Sequence, residues 1–151
     1  MADFTVDYTQ FQTFMANLTS VYRLRAMERR ALEDLANKVL NELLWRTPFK
    51  TGYLRARWKI DNPKIIAVPV KDGYECVLVN NTYYAWWVEN GHRAIAGQFI
   101  PPLRKSVRST THWVEGRFFV RSTAINFNHG KATPIVAKHV MEWLRRLANG
   151  K

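Results

Sequence analysis

The sequence contains a single cysteine, Cys76, among its 151 residues. One cysteine excludes an intramolecular disulfide and a zinc site built from several thiolates. The chain must therefore be stabilised by packing, and it is compatible with a reducing compartment. We expect Cys76 to be a small, buried strand residue.

Long apolar runs and targeting signals are also absent. The longest apolar runs, IIAVPV and YYAWWV, have six residues each, whereas a membrane-spanning helix needs about 20. The first residues, MADFTVDYTQ, carry acids where a secretory signal carries bases, and they lack its apolar segment. We therefore expect a soluble protein with no secretion signal and no membrane partner.

The motifs that would identify an enzyme or a metal site are missing. No HExxH, HxH, GxSxG or phosphate-binding loop occurs, and the four histidines are isolated from one another. Glu89 and Glu115 form a conceivable acid–base pair, but nothing in their spacing brings them together, and such catalysis depends on that geometry. We therefore predict no enzymatic activity, no cofactor and no bound metal.

Acidic residues are few: 12 Asp and Glu stand against 23 Lys and Arg, which gives a net charge of +11. The bases are concentrated in 46–64 and 93–121, whereas 1–19 contains Asp3 and Asp7 and no base. This excess favours nucleic acid or an acidic protein surface as a partner. The alternative is a solvated basic face, and no helix-turn-helix, RRM or zinc-finger pattern favours specific recognition. The candidates for contact with DNA or an acidic partner are Arg55, Arg57, Lys59, Arg104, Lys105 and Arg108.

Helical spacing of apolar residues extends from Phe11 to Trp45. Thr19-Ser20 interrupts it, so we expect an extension or short helix in 1–19, followed by a helix of about 25 residues. This long helix should end at Thr47-Pro48, because the residue before a proline is pushed out of the helical region.

The next segments predict a small antiparallel sheet. Residues 54–60 alternate between an apolar face and a basic face, as a half-buried strand does. The apolar face holds Leu54, Ala56, Trp58 and Ile60, and the basic face holds Arg55, Arg57 and Lys59. Two further β-rich runs are joined through Asp72-Gly73, a strong hairpin signal. We expect a three-stranded unit formed by 53–60, 65–71 and 74–80.

The second half of the chain is less regular. Residues 92–113 show no clean periodicity and contain Pro101-Pro102, so we expect a long loop or arm, within bounds of 92–116. Residues 117–125 fit a helix or a strand. Thr133-Pro134, an apolar stripe and Asn149-Gly150 predict a C-terminal helix. We interpret 1–151 as one α+β domain, in which two long helices cover one face of the sheet.

The segment YYAWWVENGHR, Tyr83 to Arg93, concentrates four aromatic residues. Asn80-Asn81-Thr82 before it and Asn90-Gly91 near its end predict a short helix. The two tryptophans fall on neighbouring faces, so they cannot easily enter one small core. We expect one at a subunit interface, where Trp, Tyr and Arg are enriched; the alternative is one core and one partly exposed side chain.

The interface candidates are Tyr83, Tyr84, Trp86, Trp87, Glu89, His92, Arg93 and Trp113. Three of them, Glu89, His92 and Arg93, are expected to fix the helix end and to make polar contacts between subunits. The alternative for these three is a helix terminus satisfied within its own chain.

Three short motifs follow one another along the chain: Thr47-Pro48-x-x-Thr51-Gly52-x-Leu54-Arg55, then Tyr84-Ala85-x-x-Val88-Glu89-x-Gly91, then Gly116-Arg117-Phe118. In this order and spacing they resemble the small tail-component family of tailed bacteriophages, the neck, tail-completion or head-tail joining proteins. The resemblance extends over residues 20–148. Each motif alone is weak, and their combination carries the identification.

The resemblance implies a structural virion protein without enzymatic activity. Such a protein would form a homo-oligomeric ring, a hexamer, at the head-proximal end of the tail, assembled in the host cytoplasm. It would contact the tail terminator or tail tube protein on one side and connector or head-closure proteins on the other. Its basic charge would complement acidic neighbours or meet genomic DNA passing through the channel.

Overall fold

A computed structural model describes residues 21–100, 105–107 and 110–149. The predicted helix at Phe11–Leu18 lies outside the described residues, as do Arg104 and Arg108, and Lys105 is described in its backbone only. The helices are α1 (Val21–Arg46), α2 (Tyr53–Ala56), α3 (Ala85–Asn90), α4 (Phe119–Asn126) and α5 (Ala132–Ala148). The strands are β1 (Trp58–Ile60), β2 (Val68–Val70), β3 (Gly73–Glu75), β4 (Leu78–Asn80), β5 (Gly91–Ala94), β6 (Phe99–Ile100), β7 (Lys105–Ser106) and β8 (His112–Glu115). This mixture of helices and small antiparallel sheets confirms the α+β class.

The two long helices form the main body. α1 contains 26 residues, as its sequence pattern predicts, and packs along α5. The buried side chains of this pair are Ala31, Ala36, Leu43, Ile135 and Leu147. α1 also contacts β1 and β3, whereas the main neighbours of α5 are α1 and the turn before α5. The C-terminal helix is therefore attached to the rest of the fold chiefly through α1.

The predicted end of α1 at Thr47-Pro48 is confirmed. Thr47 is fully buried, and its amide donates to the Leu43 carbonyl at 2.9 Å while its hydroxyl accepts from Trp58 Nε1 at 2.8 Å. The Arg55 guanidinium donates to the Thr47 carbonyl at 2.9 Å and lies 5.1 Å from the centre of the Phe49 ring. A cation at this end satisfies free carbonyls and complements the helix dipole. The first motif therefore closes α1 and joins it to β1.

The prediction of one three-stranded sheet is wrong. Residues 53–56 form α2, because Gly52 turns the chain at φ 75 and the Ala56 amide closes a helical turn on the Gly52 carbonyl at 2.9 Å. β1 pairs with β4, and β2 pairs with β3, in separate two-stranded ladders. The predicted hairpin is confirmed, with Val70 opposite Gly73.

The segment predicted as a loop or arm is a two-stranded β-ribbon in its described part. β5 pairs with β8 from Gly91 opposite Glu115 to Ala94 opposite His112, and β6 pairs with β7. Between the two ladders, the Gly97 amide donates to the Val107 carbonyl at 2.9 Å. Backbone pairing across the ribbon, rather than side-chain alternation, holds this segment together.

The C-terminal region resolves one alternative and corrects a boundary. Residues 119–126 form α4, so this segment is a helix rather than a strand. A turn at Phe127–Lys131, with non-helical dihedrals at His129 and Gly130, separates α4 from α5. α5 begins at Ala132, so Thr133 lies inside the helix and makes no side-chain cap.

An ion cluster joins α1 to the turn before α5. Glu42 receives hydrogen bonds from Lys131 Nζ at 2.7 Å and from Arg46 Nε at 2.8 Å. These bonds, that from Lys131 first, lower the pKa of Glu42 from 4.5 to about 2. The carboxylate therefore stays ionised and contributes to folding at pH values at which a free glutamate would take up a proton.

We expect Glu42→Gln to lower the free energy of unfolding by about 1 kcal/mol at neutral pH, a small value because the partners are partly exposed. Since the folded-state pKa lies below the unfolded one, the contribution is complete above pH 4.5 and is lost as pH falls toward 2. Urea unfolding at pH 7, 4 and 2.5 measures this. The control is Glu33→Gln, which removes an exposed pair with Arg29. A Glu42→Gln deficit that stays constant across these pH values would contradict the assignment.

Candidate assembly surface

The second and third motifs meet at the base of α3. The Glu89 carboxylate accepts hydrogen bonds from the backbone amides of Val120 at 3.0 Å and Arg121 at 2.9 Å. These are two of the free amides at the start of α4, where a negative charge also complements the helix dipole. The backbones join as well, since the Arg117 amide donates to the Val88 carbonyl at 2.8 Å. Glu89 therefore fixes α3 to α4 from outside the α4 sequence.

Two glycines allow the segments of these motifs to cross in contact. A Cβ atom on Gly116 would overlap the Glu89 carbonyl oxygen and lie 2.6 Å from the Asn90 carbonyl carbon. A Cβ atom on Gly91, which has φ 84, would lie 2.6 Å from the Val114 carbonyl oxygen. The obstacles are backbone atoms, which cannot move aside as a flexible side chain can. The motif glycines are thus required by close packing.

The scaffold presents four aromatic side chains to solvent. No residue of α3 is buried. The exposed fractions are 71% for Trp86, 61% for Tyr83, 56% for Trp113 and 48% for Trp87; we call these four residues the aromatic surface. At about 200 Å² for each ring, they expose on the order of 500 Å² in total, the size of the largest apolar patch on a typical monomer, which is often a functional one.

Two residues of the aromatic surface, Tyr83 and Trp87, make ring contacts with their neighbours. The Tyr83 ring makes edge contacts with the Tyr84 ring at 5.3 Å and the Trp87 ring at 6.2 Å between centroids. Burial and the neighbouring hydroxyls of Tyr53 and Tyr83 raise the pKa of Tyr84. Tyr53 is half exposed, and the Arg57 guanidinium carbon lies over it, 4.7 Å from the centre of the Tyr53 ring. Tyr53 and Arg57 therefore form a cationic border beside the aromatic residues.

The polar interface candidates lie in different environments. Both Glu89 oxygens are used within the chain, as in the alternative of a locally satisfied helix terminus. His92 is half-buried, 6.5 Å from the Trp87 ring, and its Nδ1 has no hydrogen-bond partner among the described residues. Arg93 is exposed and lies opposite Trp113 in the ribbon. Of these three residues, Arg93 is exposed for contacts beyond the chain, the unpartnered Nδ1 of His92 is buried within it, and Glu89 supports the scaffold.

The basic candidates do not form one strand face. Arg55 is engaged at the end of α1, because residues 53–56 are helical rather than extended. Arg57 contacts Tyr53, and Lys59 is exposed on β1. No pattern in the sequence indicates that Arg55, predicted on the basic strand face, would close a helix.

Metal-holding clusters and membrane-spanning helices are absent from the part of the chain that the structure describes. Within it, no group of three or more His, Cys, Asp or Glu side chains is arranged to hold a metal ion. None of its helices has the length and apolar character needed to cross a membrane. Glu115 is exposed, and Glu89 is engaged by α4.

We expect Glu89→Ala to lower the free energy of unfolding by about 1–2 kcal/mol, the usual cost of losing a helix cap. The reason is that the Val120 and Arg121 amides lose their acceptor. Chemical unfolding measures the change, and Glu115→Ala, an exposed carboxylate on β8, is the matched control. Equal stability of the two variants would show that the Glu89 bonds contribute nothing.

Comparison with known proteins adds a family match. A family model described as "Bacteriophage HK97-gp10, putative tail-component" matches residues 10–91. This range is more than half of the chain and contains α1, the first motif and the second motif through Gly91. No curated protein and no solved structure matches the chain.

Proposed function

Because the chain belongs to the HK97-gp10-like family of bacteriophage tail components, we propose that it is a non-enzymatic structural protein of the neck, which completes the tail or joins it to the head. Copies of the chain associate into a ring, a hexamer, at the head-proximal end of the tail. The ring assembles in the host cytoplasm and remains in the virion. The aromatic surface is the observation that supports this proposal.

The aromatic surface has the properties of an interface centre. Its four side chains are large and between 48% and 71% exposed, and Tyr84, which contacts Tyr83, lies near the cationic border of Tyr53 and Arg57. Tryptophan, tyrosine and arginine are the residues that most often dominate binding energy at protein interfaces. Glu89 and the close packing at Gly91 and Gly116 hold α3 in place before binding. A surface that is already ordered loses less conformational entropy on association.

A ring requires a head-to-tail contact in which two different surfaces of the chain meet, with a rotation that closes. The aromatic surface supplies one of them. The ring then contacts the tail terminator or tail tube protein on one face and connector or head-closure proteins on the other. The net charge of +11 favours acidic neighbours and tolerates passage of genomic DNA without sequence recognition.

Reconstitution of tails tests the proposed function. Tails assembled without this chain are mixed with purified wild-type protein, and we expect the protein to join them and to restore joining to heads, as seen by electron microscopy. A variant with Trp86→Ala and Trp87→Ala should not join. Met141→Ala, which truncates an exposed apolar side chain on α5 (62% exposed), should join normally. Failure of wild-type protein to join tails would refute the role.

A further inference from the structure

An open groove lies between the C-terminal half of α1 and the start of α5. It has a volume of about 580 Å³. Phe127 and Ile135 line it and are almost fully buried, whereas Trp45, at its edge, is 81% exposed. We call this feature the Trp45 groove. The residues that line this groove, including the exposed Trp45, are not part of the aromatic surface described above.

The charges around the Trp45 groove favour an acidic occupant. Lys38, Arg46 and Lys131 line it together with one acid, Glu42. Glu42 is neutralised by Arg46 and Lys131, and Lys38 lies 3.4 Å from Asp34 outside the groove. Three bases against these two acids leave the site positive. An occupant with apolar anchors and negative charge would suit it.

The chain itself contains a segment of this chemistry. All 23 Lys and Arg residues lie after residue 20, whereas Asp3 and Asp7 are the charged side chains before it. Phe11, Phe14, Met15 and Leu18 follow the spacing i, i+3, i+4, i+7, which predicts an amphipathic helix with one apolar face. Acidic charge and a row of apolar anchors are thus combined in residues 1–20.

Helix lengths decide which copy of the segment can enter the groove. Lys38, the first groove residue of α1, lies 17 residues after Val21, which is about 25 Å along the helix. A helix from Phe11 to Ser20 is only about 15 Å long. The apolar anchors Phe11 to Leu18 would therefore fall short of the groove of their own chain, which begins about 25 Å along α1, if such a helix lay back along α1.

We propose that the N-terminal segment, residues 1–20, of one copy docks in the Trp45 groove of a second copy through an amphipathic helix at Phe11–Leu18. The apolar face of the segment contacts Trp45, Phe127 and Ile135, and its acids lie near Lys38 and Lys131. This inference rests on the proposed self-assembly, for which it supplies a second contact between copies. The segment then links neighbouring subunits in addition to the aromatic surface.

Disulfide cross-linking between full-length chains tests the docking. Every chain carries Cys76→Ser, which removes the sole native cysteine. One chain also carries Met15→Cys and the other carries Asn41→Cys, a groove position. The two are mixed and oxidised mildly with diamide, and peptide mass spectrometry identifies the linked residues. A disulfide requires the two Cα atoms to come within about 7 Å. Met141→Cys, exposed on α5 away from the groove, replaces Asn41→Cys in the control mixture.

We expect a disulfide between the Met15→Cys and Asn41→Cys chains, formed several-fold more than with the Met141→Cys control. A single chain that carries both Met15→Cys and Asn41→Cys provides the opposing test. If the two cysteines form a disulfide within one chain, in protein of monomer mass, the segment occupies the groove of its own chain and docking between copies is overturned. Absence of the disulfide in protein that light scattering shows to be assembled overturns the docking and leaves the proposed function intact. Wild-type protein that stays monomeric overturns both.

Discussion

Replacing both Trp86 and Trp87 by alanine is expected to weaken self-association of the chain by roughly 30-fold or more, because even one central tryptophan typically contributes about 2 kcal/mol or more to binding. These side chains are 71% and 48% exposed in the isolated chain. Truncation of Trp86 therefore removes little packing within the fold, whereas truncation of Trp87 also removes its ring contacts with Tyr83 and His92. Sedimentation velocity over a concentration series measures the loss as a shift of the association midpoint.

Two controls make this result specific to the aromatic surface. Met141→Ala removes a side chain of similar exposure from α5 and should leave association unchanged. Thermal unfolding of a variant with Trp86→Ala alone, at a concentration at which both proteins are monomeric, should match wild type, since 71% of the Trp86 side chain is exposed. Association that is equal in the double variant and in wild type would place the interface elsewhere on the molecule.

Replacing Gly116 by alanine is expected to lower the free energy of unfolding by about 3 kcal/mol or more, at the upper end of the cost of overpacking. The added methyl group would overlap the Glu89 carbonyl and crowd Asn90 and Gly91, all through backbone atoms. Relief requires separating the segment before α4 from the end of α3, which also breaks the bonds of Glu89. The same variant should therefore lose association, because α3 is no longer held in place.

Gly130→Ala is the matched control for Gly116→Ala. Gly130 has φ 137, so alanine is strained there, but no atom lies within 4 Å of its added Cβ. Its cost should be that of backbone strain alone, about 1–3 kcal/mol, with association retained. If the Gly116→Ala protein were no less stable than the Gly130→Ala protein and still self-associated, the close packing at Gly91 and Gly116 would not support the aromatic surface.

The elements that the sequence predicted correctly are those with local signals. α1 has a long apolar period and a Thr-Pro stop, and the β2–β3 hairpin follows an Asp-Gly pair. The strand predicted at 54–60 is confirmed at Trp58–Ile60 and wrong in its first half, because the residues around Leu54 and Arg55 fit a helical turn equally well. The deciding interaction is the bond from Arg55 to the Thr47 carbonyl, eight residues away. Such a contact leaves no periodic signal.

The sequence predicts the aromatic residues of the candidate site, but it does not predict how Glu89, Gly91 and Gly116 hold them in place. Four aromatic residues in one short segment exceed what a small core requires, and the structure exposes Tyr83, Trp86 and Trp87. The role of Glu89 depends on amides 31 and 32 residues further along the chain. Gly91 and Gly116 likewise acquire their function from each other. The three motifs contain these residues. Only the folded structure shows that Glu89, Gly91 and Gly116 together hold α3 in place.

The mass of the wild-type protein in solution tests the central claim, self-association through the aromatic surface, most directly. Multi-angle light scattering over increasing concentration should show a rise from the 17.7 kDa monomer toward a six-fold multiple. The rise should persist in high salt, because burial of apolar surface is not screened as exposed charges are. The variant with Trp86→Ala and Trp87→Ala should remain at the monomer mass under the same conditions. Wild-type protein that stays monomeric at the highest concentration would contradict the account.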